Sequence, residues 1–233
     1  MTKGAIYYTD FHADPKILEV CLKQLKKSFK GEVVSVSLGK PVDFGKNIVF
    51  DLKRGYIAMM RQIIAGLENL TTDYVFFCEN DVLYNPSHFD FTPPTNDIFY
   101  YNANNYRWEI GSDKAISHDR MIPLSVMCCY RKLALRYYYY RWQKMEEIGM
   151  KEFENSQSSV MRKIGFEPGT KKKKRGGLTD DDFDTWYSDE PVIDIRHKGT
   201  FSPTKVKLES FKHAPKNWEE ININELPLCK LIS

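Results

Sequence analysis

The spacing of apolar residues changes period several times along the chain, and each change marks an element. GAIYY, residues 4–8, is a short apolar run that reads as a strand. The polar stretch 9–13 turns the chain, and Asp14-Pro15 then starts a helix, with Asp as cap and Pro at the first helical position. Ile17, Leu18, Cys21, Leu22 and Leu25 share one face of that helix, and Gly31 fits its stop. EVVSVSL, residues 32–38, is a second strand. After GKPVDFGKN, Asp51 is expected to cap a helix running to about Leu70, because Tyr56, Ile57, Met60, Ile63, Ile64 and Leu67 recur at three- and four-residue spacing. YVFFC, residues 74–78, reads as a buried strand, and DIFYYN, residues 97–102, as another.

Strand and helix therefore alternate through the first half, which predicts an α/β fold: a mostly parallel central sheet flanked by helices. The second half is less regular. SVMCCYRKLALRYYYYRWQKMEEIG, residues 125–149, reads as one long helix rich in Tyr and Arg, and KEFENSQSSVMRKIGF, residues 151–166, as a second helix. VID and the following Ile195 form a last strand, residues 192–195, and the residues from about Lys205 read as a tail that wraps the surface.

Composition narrows the class. The chain has 233 residues, 42% hydrophobic and 28% charged, enough for a substantial core. A formal charge of +3 does not by itself indicate a nucleic-acid binder. Five cysteines with no CxxC spacing are expected to be buried thiols. With no signal-like apolar leader and no window long enough to span a membrane, the expectation is a soluble cytoplasmic protein.

In open α/β sheets ligands bind beyond the carboxyl ends of the strands. Attention therefore falls on residues 9–12, 37–40 and 79–81. Glu79-Asn80-Asp81 sets two carboxylates two residues apart at a strand exit. Hard oxygen ligands of this kind suit Mg²⁺ or Mn²⁺ with substrate phosphates completing the shell. The same three residues also read as a plain polar turn. His197, just past the last strand, can supply a further ligand.

DYVFFCENDVLYNPSHFDF, with RGYIAMMRQIIAGLENLTT before it, resembles the centre of a family 2-type glycosyltransferase of the GT-A fold. The resemblance implies a Rossmann-like single domain with an irregular C-terminal part. Residues 1–110 would bind a nucleotide sugar, 111–204 would bind acceptor and complete the metal site, and 205–233 would form the tail. It implies Mn²⁺ or Mg²⁺ as cofactor, with Asp81 and His197 as metal ligands. It also implies a nucleotide-sugar co-substrate, a UDP-sugar first, contacted by Thr9, Asp10, Arg54, Glu79 and Asn80. Glu79 stands where the family's acidic element carries Asp, and the E-D pair that supplies the base in many relatives is not visible. Asp119 is the first candidate for that base in an inverting transfer, with Glu190 and Asp180, Asp181 and Asp182 as alternatives.

Lys171, Lys172, Lys173, Lys174 and Arg175 form a basic run beside Gly176-Gly177. It reads either as a solvated loop or as a contact for a polyanion. Related enzymes of bacterial viruses sugar-modify hydroxymethylated bases, so the resemblance admits DNA as acceptor, bound by Lys172, Lys173, Arg175 and Arg136, with Tyr137, Tyr140 and Arg141 beside them. Two other functions stay open: a nucleotidyltransferase, and a non-catalytic α/β domain that binds nucleic acid. Met59, Met60, Trp142 and Trp186 are assigned to packing. His12, His88, His118 and His213 are assigned to local hydrogen bonds.

Overall fold

The computed structural model describes residues 1–154, 163–165, 183–200 and 205–232. Strand β1 (Lys3–Thr9) leads into helix α1 (Pro15–Ser28), where the Asp14 carboxylate accepts from the Lys16 amide at 2.8 Å and Pro15 opens the first turn. Next come β2 (Glu32–Leu38), β3 (Lys46–Phe50), α2 (Tyr56–Asn69), β4 (Tyr74–Glu79) and the two-residue β5 (Val82–Leu83). The middle of the chain supplies β6 (Phe99–Asn102), β7 (Asn105–Glu109), β8 (Lys114–Ser117), β9 (Met127–Tyr130) and α3 (Arg131–Ile148). A single helical turn α4 (Lys151–Glu154), then β10 (Phe183–Trp186), β11 (Val192–Arg196) and β12 (Glu219–Asn222) complete the regular elements among the described residues.

Two sheets result. The larger runs β10-β6-β9-β4-β1-β2-β3, with β1 central and parallel to both β2 and β4. Among the described residues four of its six pairings are parallel, so the α/β sheet flanked by helices has the expected character. The smaller sheet runs β12-β8-β7-β11-β5.

Three expectations need correction. Asp51 caps nothing: α2 starts at Tyr56 after Gly55, and the residues before Asp51 form edge strand β3 instead. Gly45 makes the turn into β3 at φ 64°, where an added Cβ would sit 2.3 Å from the Val33 carbonyl oxygen. The long helix read from residue 125 begins only at Arg131. Met127, Cys128 and Cys129 are fully buried in β9, antiparallel between β4 and β6, since an apolar run enclosed on both faces of a sheet carries no helical period. The segment from Lys205 does more than wrap the surface. Its β12 pairs with β8, and Leu226, Cys229 and Ile232 close a second core with Ile17, Cys21, Trp108, Ile193 and Ile195. Of the helix read over 151–166, only the turn Lys151–Glu154 and residues 163–165 lie within the described residues.

The cysteines are buried thiols as expected. No helix among the described residues is long and apolar enough to cross a membrane. His88 is fully buried against the rings of Phe76, Tyr84, Phe89 and Trp186, with Nδ1 3.1 Å from the Asn102 amide nitrogen. Burial lowers its pKa to about 3. The unfolded chain takes up a proton near the ordinary value of 6.5 while the native ring stays neutral, so stability is present above that pH and lost as pH falls toward 3. The loss is at most about 1.4 kcal/mol per pH unit. His88→Gln is expected to flatten the urea midpoint between pH 6.5 and 4; an unchanged acid slope in that variant would refute the assignment.

Candidate functional site

The carboxyl ends of β1 and β4 finish together, because the parallel register sets Tyr8 opposite Glu79. Here the chain reverses at once into β5. The reversal is fixed to the smaller sheet by the Ile195 amide, which donates to the Asp81 carbonyl at 3.0 Å, and by the antiparallel pairing of β11 with β5. The ends of β1, β4 and β11 are thereby brought to one place. They surround a cleft of about 260 Å³ that is also lined by Ala13, by Leu38 at the end of β2, by the start of α2 and by the Pro123-Leu124 segment.

Each side chain at the cleft has a local reason for its pose. The Tyr8 hydroxyl donates to Glu79 Oε1 at 2.6 Å, and the Glu79 amide donates to the Tyr84 hydroxyl at 3.1 Å. Asn80 Nδ2 donates to Thr9 Oγ1 at 2.7 Å, tying the two strand exits together. Gln62 of α2 donates to the carbonyls of Thr9 and Val36 at 2.9 and 2.8 Å. Arg54 pairs with the Asp10 carboxylate and also donates to the Gly199 carbonyl at 3.0 Å, so the loop after β1, the entry to α2 and the turn after β11 are clamped by one guanidinium. Gly199 packs closely there: an added Cβ would sit 3.0 Å from the His12 carbonyl oxygen.

His197 Nε2 lies 3.3 Å from Asp81 Oδ2. The Gly199 amide donates to His197 Nδ1 at 3.0 Å, so in the neutral ring Nε2 carries the proton and directs it at Asp81. The electrostatics of the acids follow from burial. Desolvation, then the neighbouring Asp81 charge, raise the Glu79 pKa to about 8 against the hydrogen bond from Tyr8. Asp81 is also raised, chiefly by desolvation and partly offset by His197.

Does this donor set suit Mg²⁺ or Mn²⁺? Among the described residues no group of three or more His, Cys, Asp or Glu side chains converges as a metal cage. Asp81 offers a hard oxygen whose charge is costly when alone, which a cation would relieve. His197 joins it only if Nε2 gives up its proton and the Gly199 amide releases Nδ1. One or two protein ligands, with waters and phosphates supplying the rest, is the ordinary mode for Mg²⁺, and the residues fit that mode.

Thr9, Asp10, Arg54, Glu79, Asn80, Asp81 and His197 thus line one cleft. Asp119 and Glu190 do not line it. Asp119 Oδ1 accepts from the Lys216 amide at 2.9 Å, and Glu190 is exposed, with its backbone bonded to Ser87 and Ser188. Arg136 is exposed on α3, also away from the cleft, while Tyr137 and Arg141 are buried and cannot stack bases or meet phosphates. Lys172, Lys173, Arg175 and the acids Asp180, Asp181 and Asp182 lie outside the described residues. Two residues that sequence reading missed also line the cleft, Asp194 and Arg196 of β11. Their signal was the alternation in VIDIR, which interrupts an apolar strand with a charge at every second position.

No family model matches the chain, and no curated relative is found. Among solved structures it is similar to the glycosyltransferase GlyE of Streptococcus pneumoniae TIGR4, at 14% identity and a TM-score of 0.47, over 80% of this chain and 45% of that one. It is similar to TarS 1-349 of S. aureus in complex with UDP-GlcNAc at 10% identity and a TM-score of 0.43, over 86% of this chain and 60% of the other. The bifunctional IspDF from Campylobacter jejuni matches at 7% identity and a TM-score of 0.40, over 82% and 50%. The chain spans between 45% and 60% of the length of these solved chains.

Proposed function

We propose that this chain is a glycosyltransferase, moving a sugar from a nucleotide sugar, a UDP-sugar first, to a hydroxyl acceptor. The observation that carries the reading is the convergence of Thr9, Asp10, Arg54, Asn80, Asp81 and His197 on one cleft at the carboxyl ends of β1 and β4. Leu38, Ala58 and Met59 give that cleft apolar lining for a flat base, alongside polar groups suited to a ribose and phosphates. Mg²⁺ or Mn²⁺, when bound, neutralises charge on the departing diphosphate, and Asp81 with His197 would hold it. The protein's own part is placement. Arg54 fixes the loop that carries Asp10, Asn80 joins the two strand exits, and Pro123 and Leu124 add to the lining of the cleft. Asp119 and Glu190 receive no catalytic role here, since neither reaches the cleft.

A thermal-shift screen of UDP-, GDP- and dTDP-sugars, with Mn²⁺ or with EDTA, tests the reading. A donor at a hundredfold excess over its Kd stabilises the native state by about 2.7 kcal/mol. For a chain of this size that is a rise of about 5–10 °C in Tm. No rise with any nucleotide sugar at millimolar concentration would end the proposal. Release of pyrophosphate from a nucleoside triphosphate would instead make the chain a nucleotidyltransferase.

A further inference from the structure

We propose that the outer face of α1 is a docking surface for an anionic lipid bilayer, built from a stripe of lysines. Its role does not depend on what the cleft binds. Ile17, Cys21, Leu25 and Ser28 form the buried side of α1. On the exposed side Lys16, Lys23 and Lys27 follow at intervals of seven and four residues. That spacing sets them within about 40° of one another around the helix axis and along about 17 Å of its length. Lys30 continues the row past the last turn, where its ammonium donates to the Lys26 carbonyl at 2.8 Å. All four lysines are exposed.

Little opposing charge accompanies the stripe. Glu19 is the only acid of α1, Asp14 caps the helix through the Lys16 amide, and Asp43 pairs with Lys26 at 3.1 Å. Lys23 and Lys27 have no ionic or hydrogen-bonded partner among the described residues. Like charges four residues apart destabilise a helix, so the fold itself gains nothing from this pair. What adjoins the stripe decides which polyanion it fits. Lys16 Nζ donates to the Ile232 carbonyl at 3.0 Å, which brings the turn Pro227–Leu231 against the start of α1. That turn adds the exposed Lys230 and leaves Leu231 45% exposed. A row of ammoniums beside a bare leucine matches a bilayer surface: lipid phosphates take the charges, and the headgroup layer takes the apolar side chain. A polynucleotide calls for flat rings on which bases stack, and α1 carries no aromatic residue.

Co-sedimentation of the full chain with vesicles, at physiological ionic strength, tests the surface. Vesicles of phosphatidylcholine mixed equally with phosphatidylglycerol are expected to bind it at least about tenfold more tightly than phosphatidylcholine alone. Each lysine near an anionic surface contributes about fivefold, so Lys23→Gln/Lys27→Gln is expected to weaken that binding about 25-fold. Lys207→Gln/Lys212→Gln removes two exposed lysines that flank Phe211, beyond β8 and outside the stripe. Its binding is expected to stay within about twofold of wild type, because fields fade beyond about 8 Å at this ionic strength. All four positions are exposed, and matching melts show that each variant is folded. No preference for the anionic vesicles, or an equal loss in the two double variants, would overturn the proposal. Vesicles left unbound while a single-stranded oligonucleotide loses affinity in Lys23→Gln/Lys27→Gln would also overturn it, and would assign the stripe to a polynucleotide.

Discussion

Asp81→Asn is expected to lower sugar transfer by about 10²–10³ while the chain stays folded. The substitution keeps the volume and leaves an oxygen to accept the proton of His197 Nε2, which lies 3.3 Å from the present carboxylate. What disappears is the negative charge, and with it the hard anionic ligand that the proposed reading assigns to Mg²⁺ or Mn²⁺ beside the leaving diphosphate. The folded state also gains. Burial raises the Asp81 pKa, so the native fold carries an ionised group at a cost that Asn does not incur. The melting midpoint in EDTA should therefore hold or rise as transfer falls. Turnover of the donor with Mn²⁺, measured beside the melt, decides the matter. Full turnover in a folded Asp81→Asn chain would remove the central role given to the β4 exit.

Much of the frame was legible because its signals are local. Asp14-Pro15 announces α1, and the short runs of β1, β2 and β4, rich in β-branched and aromatic residues and bounded by polar turns, read as strands. The rule that ligands gather past the carboxyl ends of parallel strands then reaches Thr9, Asp10 and the Glu79-Asp81 pair without any contact map. Where the rule stops, so does the reading. Met127-Cys128-Cys129 is apolar without interruption beside a true helix, and only the unfilled edge of β4 makes it a strand. The strands β5, β7, β8 and β12 are two to five residues long and pair across the chain, so short-range periodicity never shows the second sheet.

Distance in space is the harder quantity. Asp119 follows the strands in sequence, as an acceptor-side acid would, yet its carboxylate serves the Lys216 amide on the C-terminal segment. Asp194 and Arg196 are 113 or more positions beyond Asp81 and still share its cleft, because β11 pairs with β5 immediately after the acidic turn. The missed residues were visible as a pattern, charges at alternate positions in an apolar strand. That pattern pointed to a buried polar face, and only the fold says what the face adjoins.

The two acids at the β4 exit are not equivalent, and Glu79→Gln should expose the difference. Glu79 accepts the Tyr8 hydroxyl at 2.6 Å and sits two residues from Asp81, and burial beside that second charge raises its pKa to about 8. At pH 7 the side chain is therefore chiefly protonated, and Gln reproduces its shape, its acceptor for Tyr8 and its lack of charge. A folded-state pKa above the unfolded value of about 4.5 contributes stability that is full below pH 4.5 and is lost as pH rises through 8. In EDTA, with no divalent ion competing for the proton, wild-type urea midpoints should decline from pH 5 to 9 while those of Glu79→Gln stay level. By pH 9 the variant should be the more stable by on the order of 3 kcal/mol. Transfer at pH 7 should stay within about tenfold of wild type, against the far larger loss in Asp81→Asn. Parallel pH slopes in the two proteins would show that Glu79 is already ionised at neutral pH, and the β4 exit would then hold two charges for a bound cation rather than one.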